Sequence, residues 1–178
     1  VDTHSKPSAA RALIEQIKAL TDKPVRYVVD THFHWDHTQG TPTYKRIALH
    51  ADVVASEATR KLIAENGAAR LKESVEQAEK SAGEYREKAA KARTAEEKTY
   101  WQTMWSETRE YLSEMRNYVP ELPNVTFRTS LVIHAKDHDL HLEFRGRGHT
   151  SGDIVVFCPQ KKVLATGDLL HGFAPYIG

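Results

Sequence analysis

Cysteine is almost absent from this chain, which has 178 residues and a single thiol at Cys158. One cysteine excludes an internal disulfide framework and any metal site that is built from several thiolates. Cys158 ends the apolar run at residues 154–158, which predicts a buried strand and an inert core thiol. A chain of this length is enough for one domain with a core of its own.

Long hydrophobic runs and an excess of charge are also missing. No apolar stretch approaches the ~20 residues that cross a bilayer, and none has the layout of a signal peptide. The net charge of +1 gives no electrostatic basis for binding nucleic acid or an anionic membrane. We therefore expect a small-molecule substrate and neither a nucleic-acid nor a membrane partner. The chain begins at valine, so its cellular compartment stays open.

Histidine is well represented, and residues 32–37 read His-Phe-His-Trp-Asp-His. The cluster follows residues 25–30, an apolar stretch whose β-branched and aromatic side chains predict a buried strand. His32 and His34 are two residues apart, so an extended backbone points both the same way, towards one metal ion. Asp36 and His37 follow where the chain begins to turn, and we expect them to face a second ion nearby. A chance cluster of surface polar residues explains this pattern poorly.

The pattern His-x-His-x-Asp-His resembles the signature of the metallo-β-lactamase-fold hydrolases. Residues 148–153 (Gly-His-Thr-Ser-Gly-Asp) resemble that family's third-histidine loop, and residues 166–168 (Thr-Gly-Asp) resemble its bridging-aspartate turn. The three motifs occur in the family's order, from about Tyr27 to Asp168. The resemblance implies an α/β fold, a partial αββα sandwich that forms one truncated domain over residues 1–178, with a helical insertion at about 56–119.

The resemblance also implies a set of metal ligands. His32, His34 and His149 would form the first site, Asp36 and His37 the second, and Asp168 would bridge two ions. We expect zinc, although histidine and aspartate also accept iron or manganese.

The implied reaction is attack of a metal-held hydroxide on an ester, thioester, lactone or phosphodiester, with Asp36 orienting the nucleophile or passing a proton to the leaving group. An aspartate at residue 168 resembles the thioesterase, lactonase and phosphodiesterase branches more than the zinc β-lactamases. His34 argues against the flavo-diiron branch, which usually has glutamate there.

The chain departs from the family near both ends. Members usually add one more histidine to the second site, downstream of the bridging aspartate, and the ten residues after Asp168 offer none in the matching place. His171 is a candidate to line the pocket. We expect the middle of a larger hydrolase, whose activity in this form is uncertain. The alternatives are a catalytically incomplete binding or assembly module, and a diiron redox protein.

The first third of the chain predicts alternating helix and strand. An amphipathic helix is expected over Ser8–Leu20, capped by Ser8, followed by a strand over Val25–Val29. Residues 40–42 predict a turn, and residues 47–55 a further strand region.

Residues 56–119 are rich in Ala, Glu, Lys and Arg and predict helices. We expect a short helix over Glu57–Glu65, ended by Asn66 and Gly67, and then a longer one. Thr94 and Glu97 fit a capping box at the start of a third helix. Matching 4-3 spacing of apolar residues in the last two helices predicts an antiparallel hairpin. The hairpin either packs on itself or serves as a lid or dimerisation arm.

The remaining residues predict a β-meander with uncovered strand edges. Such edges tend to find partners, so we expect possible association of identical copies through them. The predicted strands are Val125–Phe127, Leu131–Ala135, Leu140–Phe144, Ile154–Cys158 and Val163–Ala165.

Overall fold

The computed structural model describes residues 1–170. They fall into two compact units, one formed by residues 1–66 with the segment from residue 120 onward, the other by residues 67–119. The helices are α1 (Pro7–Leu20), α2 (Trp35–Thr38), α3 (Thr41–Ile47), α4 (Glu57–Lys91), α5 (Ala95–Met115) and a 3-10 turn at Gly167–Leu169. The strands are β1 (Tyr27–Val29), β2 (Asp52–Ser56), β3 (Val125–Phe127), β4 (Ser130–His134), β5 (Asp139–Phe144), β6 (Ile154–Cys158) and β7 (Val163–Ala165). Within residues 1–170 no helix is long and apolar enough to span a membrane.

The first unit contains a three-stranded parallel sheet in the order β1-β2-β3. Successive side chains of a strand point to opposite faces of the sheet, so neighbouring valines pack into two different hydrophobic cores. Val28 and Val53 pack with Ala10 and Ile14 of α1 and with Tyr44 of α3. The two helices therefore cover one face of the sheet.

The other face of the parallel sheet packs against an antiparallel meander in the order β4-β5-β6-β7. Their shared core contains Val29, Val54, Phe127, Leu142, Ile154 and Val156. The unit is thus layered as helices, parallel sheet and antiparallel sheet. This confirms the predicted α/β class, and the meander has the predicted strand order. Cys158 is buried, with a free thiol.

Three local predictions for the first unit were wrong. Lys6 is the N-cap residue of α1 and Pro7 occupies the first turn, so Ser8 is not the cap. Proline suits that position because its missing N–H needs no partner there. Residues 41–47 form helix α3 in place of a turn and strand, and β2 begins only at Asp52.

The second unit is a helical insertion, as predicted, built from most of α4 together with α5. The Tyr85 and Trp101 rings stack with centroids 5.6 Å apart, which brings the two helices together near the turn. Thr94 caps α5 by accepting a hydrogen bond from the Glu97 backbone N–H at 3.1 Å. The Glu97 carboxylate accepts from the backbone N–H of Arg93 at 2.9 Å, one residue before the position that a capping box predicts.

The predicted break at Asn66 and Gly67 does not occur, because α4 runs without interruption from Glu57 to Lys91. A glycine inside a helix costs only about 1 kcal/mol relative to alanine. The alanines, glutamates and lysines on both sides favour the helix strongly enough to offset that cost.

Candidate metal centre

The histidine cluster lies where β1 ends. Thr31 and His32 are fully buried, and His34 keeps an extended backbone before α2 begins at Trp35. The one-turn helix α2 then carries Asp36 and His37, and the His37 backbone N–H donates to the His34 carbonyl at 3.2 Å. The backbone changes from extended to helical at Trp35, so the side chains of Asp36 and His37 point in a different direction from those of His32 and His34.

Three imidazoles form the first group. Ligand nitrogens of His32, His34 and His149 all lie within 4.8 Å of one another. The His149 Nε2 and His34 Nδ1 atoms are 2.8 Å apart. Each pair of rings is almost perpendicular, at interplanar angles of 81°, 84° and 82°. The rings therefore present their edges, where the nitrogens lie, to a common space.

Asp168 forms a second group together with His32 and His37, and it also lies close to the first group. Its Oδ1 atom is 3.2 Å from His37 Nε2. Its Oδ2 atom is 3.5 Å from His149 Nε2 and 3.9 Å from His32 Nε2. The two oxygens of one carboxylate thus face different sets of histidines.

Asp36 completes the cluster at its exposed side. Its Oδ2 atom lies 3.4 Å from His37 Nε2, and its side chain is 47% exposed against 23% for Asp168. The hydrogen bond with His37 lowers the pKa of Asp36. All six residues that the sequence singled out, from three separate segments, therefore come together.

The donor set fits a metal ion. Burial, together with the nearby His37 and His34, lowers the pKa of His32 to about 4, so its ring is neutral. Among the described residues, no group hydrogen-bonds to the buried Nε2 atom of His32. A buried lone pair without a partner is costly unless a cation occupies the space before it. Neutral imidazoles and carboxylates are ligands that zinc, iron and manganese accept.

Asp2 fixes the proton positions of this cluster, and the sequence did not predict its role. Its carboxylate accepts hydrogen bonds from the Thr31 N–H and hydroxyl at 2.8 and 2.9 Å, and from His37 Nδ1 at 2.9 Å. The Thr31 hydroxyl has a single proton and donates it to Asp2. Its oxygen therefore accepts from His32 Nδ1, 3.1 Å away, which leaves the lone pair of His32 on Nε2.

The Asp2 carboxylate also affects the pKa of His37. Burial alone would lower the pKa of His37, but its hydrogen bonds with Asp2 and Asp36 outweigh burial and raise the pKa to about 10. With Nδ1 donating to Asp2, the Nε2 atom is the one directed at Asp168. No local spacing indicated this contact, because Asp2 lies 35 residues before its partner.

The loop that carries His149 is held from two sides. The Asp153 carboxylate accepts hydrogen bonds from the backbone N–H and the hydroxyl of Thr150, at 2.6 and 2.9 Å. The Gly152 carbonyl accepts from the Ser56 and Thr59 hydroxyls at 2.7 and 3.0 Å. The loop is therefore tied to β2 and to the start of α4.

Gly167 sets the direction of Asp168. Its φ of +51° lies in the left-handed region, and a Cβ there would overlap the Thr31 side chain.

The candidate His171 lies outside the described residues. His134 and His138 hydrogen-bond to Asp139 and Asp137 near the β4–β5 turn, apart from the cluster.

Comparison with known families gives one match of almost full length. The family described as "Metallo-beta-lactamase superfamily" matches residues 1–176. No curated protein matches the chain.

Solved structures give further matches. A metallo-beta-lactamase from Pontibacter korlensis is 24% identical, with a TM-score of 0.58 over 92% of this chain and 51% of its own. The stereoselective inverting sec-alkylsulfatase Pisa1 from Pseudomonas sp. is 20% identical, with a TM-score of 0.55 over 92% of this chain and 25% of its own. The metallo-beta-lactamase IND-7 is 16% identical, with a TM-score of 0.55 over 92% and 50%. These identities show a shared fold. The chain spans about half the length of the two lactamases and a quarter of the sulfatase.

Proposed function

Because the chain belongs to the metallo-beta-lactamase superfamily, a family of metal-dependent hydrolases, we propose that its histidine cluster is a dinuclear hydrolytic site. His32, His34 and His149 would hold one ion, Asp36 and His37 would hold the other, and Asp168 would contribute to both sites. Zinc is the proposed metal. The substrate is an ester, thioester, lactone or phosphodiester.

The observation that carries this proposal is the position of the Asp168 carboxylate. One oxygen lies 3.2 Å from His37 and the other 3.5 Å from His149, so one side chain reaches both sets of nitrogens. Two-metal hydrolases need ions about 3.5–4 Å apart, which a bridging carboxylate can provide. A merely structural salt bridge has no need to divide its two oxygens in this way.

When bound, the ions supply Lewis acidity, which polarises the bond to be cleaved and lowers the pKa of water. The protein's own contribution is orientation. Thr31 and Asp2 keep the Nε2 atoms of His32 and His37 directed into the site. His37 would give up its Nε2 proton on binding a metal ion, because the raised pKa keeps that ring protonated in the metal-free protein. Asp36 is ionised at neutral pH and half-exposed, so it can accept a hydrogen bond from the attacking water and orient it.

Metal content and titration test the site. We expect the purified chain to bind two zinc ions in two phases, the three-histidine group first, since the second group has fewer ligands. Asp168→Asn should remove the weaker phase, and Asp137→Asn, at an exposed carboxylate, should leave both unchanged. Absence of zinc binding at micromolar concentration would exclude a hydrolytic site. Bound iron with dioxygen consumption would favour a diiron redox protein.

A substrate panel tests the reaction. It contains a thioester, a lactone, a carboxylic ester and a phosphodiester, with a β-lactam and an alkyl sulfate added because structurally similar proteins are named for such activities. Hydrolysis of any of the first four that disappears in His149→Ala supports the proposal. Full zinc occupancy with no turnover across the panel would favour the binding or assembly module.

A further inference from the structure

Helix α5 has a wider apolar face than a two-helix hairpin requires. Its 4-3 positions include Trp101, Met104 and Tyr111, and the Trp101 ring stacks on Tyr85 of α4. Trp105 and Leu112 lie directly beside that seam, seven residues apart. A strict two-helix seam needs apolar residues at two of every seven positions, whereas three of seven is typical of a core-facing helix in a bundle or a globular protein.

The seam and the added positions are only partly buried, except at Met115. Within residues 67–119, the buried hydrophobic residues are Ala82 and Met115. Trp105 and Leu112 are only half-buried. The Trp105 ring has the Arg109 guanidinium of its own helix 5.2 Å from its centroid.

We propose that the arm formed by residues 67–119 docks antiparallel against the same arm of a second copy, burying Trp105 and Leu112 in a four-helix bundle. This interaction is independent of the proposed hydrolytic function. A two-fold pairing uses the same surface on both copies, so the apolar faces of the two α5 helices meet each other.

The charges of the arm are complementary in this arrangement. The distal half, residues 80–106, has six basic and four acidic side chains, a net charge of +2. The proximal half, residues 67–79 and 107–119, has four basic and six acidic side chains, a net charge of −2. Antiparallel pairing places the distal half of each arm beside the proximal half of the other, whereas a parallel pairing would juxtapose like charges.

The area of this face is sufficient for a dimer. With 21 residues, α5 is about 32 Å long, and a face two helices wide is roughly 20 Å across, so two copies would bury roughly 1,300 Å². Specific protein interfaces begin at about 1,200 Å².

Sedimentation velocity of the full chain between 1 and 100 µM tests the proposal. We expect a reversible dimer, and Trp105→Glu with Leu112→Glu should raise its Kd by about a hundredfold, since central tryptophans dominate interfaces. Glutamate is a good helix former, so far-UV circular dichroism should show unchanged helicity. If the helicity falls, Trp105→Ala replaces the double glutamate variant in the test. Leu49→Glu with Leu164→Glu, at exposed leucines outside the arm, should leave the Kd unchanged.

A charge swap tests the antiparallel arrangement. Lys80→Glu with Lys98→Glu changes the distal half from +2 to −2 and should weaken the dimer several-fold at low salt. Adding Glu73→Lys and Glu107→Lys should restore it. A monomer at 100 µM, a dimer that persists without Trp105 and Leu112, or one that the control substitutions dissociate, would overturn the proposal.

Discussion

Asp2 and Thr31 orient the rings of His32 and His37, so that the Nε2 atom of each faces the cluster. The six candidate ligands were predictable because most lie in short motifs whose residue types are those of metal sites. The role of Asp2 was not predictable. Its hydrogen bonds go to Thr31 and His37, which follow it by 29 and 35 residues, so they leave no local pattern in the sequence. Partners that orient a site through tertiary contacts are visible only once the fold is known.

Asp2→Asn should weaken zinc binding by about 10–100-fold, the range found when groups that orient metal ligands are removed. The amide can still accept one hydrogen bond, but its NH₂ group cannot accept from His37 Nδ1. Isothermal titration with zinc measures the change, and Asp22→Asn, at an exposed acid, is the control. Unchanged affinity in Asp2→Asn would show that Asp2 has no part in orienting the ligands.

Asp30 should make the metal-free protein less stable as pH rises. Burial raises the pKa of its carboxyl from 3.8 to about 8, so the folded state keeps a proton that the unfolded state loses above pH 4. Stability is therefore full below about pH 4 and falls between pH 4 and 8, by an amount on the order of a few kcal/mol.

Urea unfolding of chelator-treated protein at pH 5 and pH 8 measures this effect of Asp30. Asp30→Asn should be more stable than the wild type at pH 8, with a smaller difference at pH 5. The opposite order at pH 8 would mean that the carboxylate is stabilised in the fold.

At the scale of elements, periodicity predicted the helices and strands better than breaker residues predicted their ends. The β-meander, α1 and the helical insertion follow the apolar pattern. The break expected at Gly67 does not occur, and the turn expected at residues 40–42 ends at Gly40, because a single glycine or proline sets only a local cost. Strong helix formers around Gly67, and a first-turn position for Pro42, make those costs small.

Two glycines should respond oppositely to alanine. Gly83 lies inside α4, two turns before its end, with open space for 4 Å around the position that a Cβ would take. Gly83→Ala should therefore raise the free energy of unfolding by about 0.5–1 kcal/mol. At Gly152 a Cβ would lie 2.5 Å from Thr59 Oγ1 and 2.7 Å from its backbone nitrogen. Gly152→Ala should therefore destabilise the protein and displace the His149 loop.

Chemical denaturation with zinc titration separates the effects at the two glycines. Gly83→Ala should leave zinc affinity unchanged, whereas Gly152→Ala should lower it. A neutral Gly152→Ala would show that the loop adjusts without cost.

For the whole molecule, metal binding should be coupled to folding. A ligand present at a hundredfold excess over its Kd stabilises the folded state by about 2.7 kcal/mol, which for this size raises Tm by roughly 5–10 °C. A chelator should remove that increment, added zinc should restore it, and His149→Ala should abolish most of it. Equal Tm values with zinc and with chelator would contradict a preformed site. Differential scanning fluorimetry makes the comparison.

The wide separation of the ligands along the chain has a consequence during synthesis. His37 leaves the ribosome 112 residues before His149, and the helical insertion makes up about half of that interval. At roughly 5–20 residues per second, the first four ligands wait about 6–22 seconds for His149 and longer for Asp168. Each nascent chain therefore spends that time with an unfinished cluster of histidines that can capture a stray cation, and correct loading depends on how easily such a cation is released.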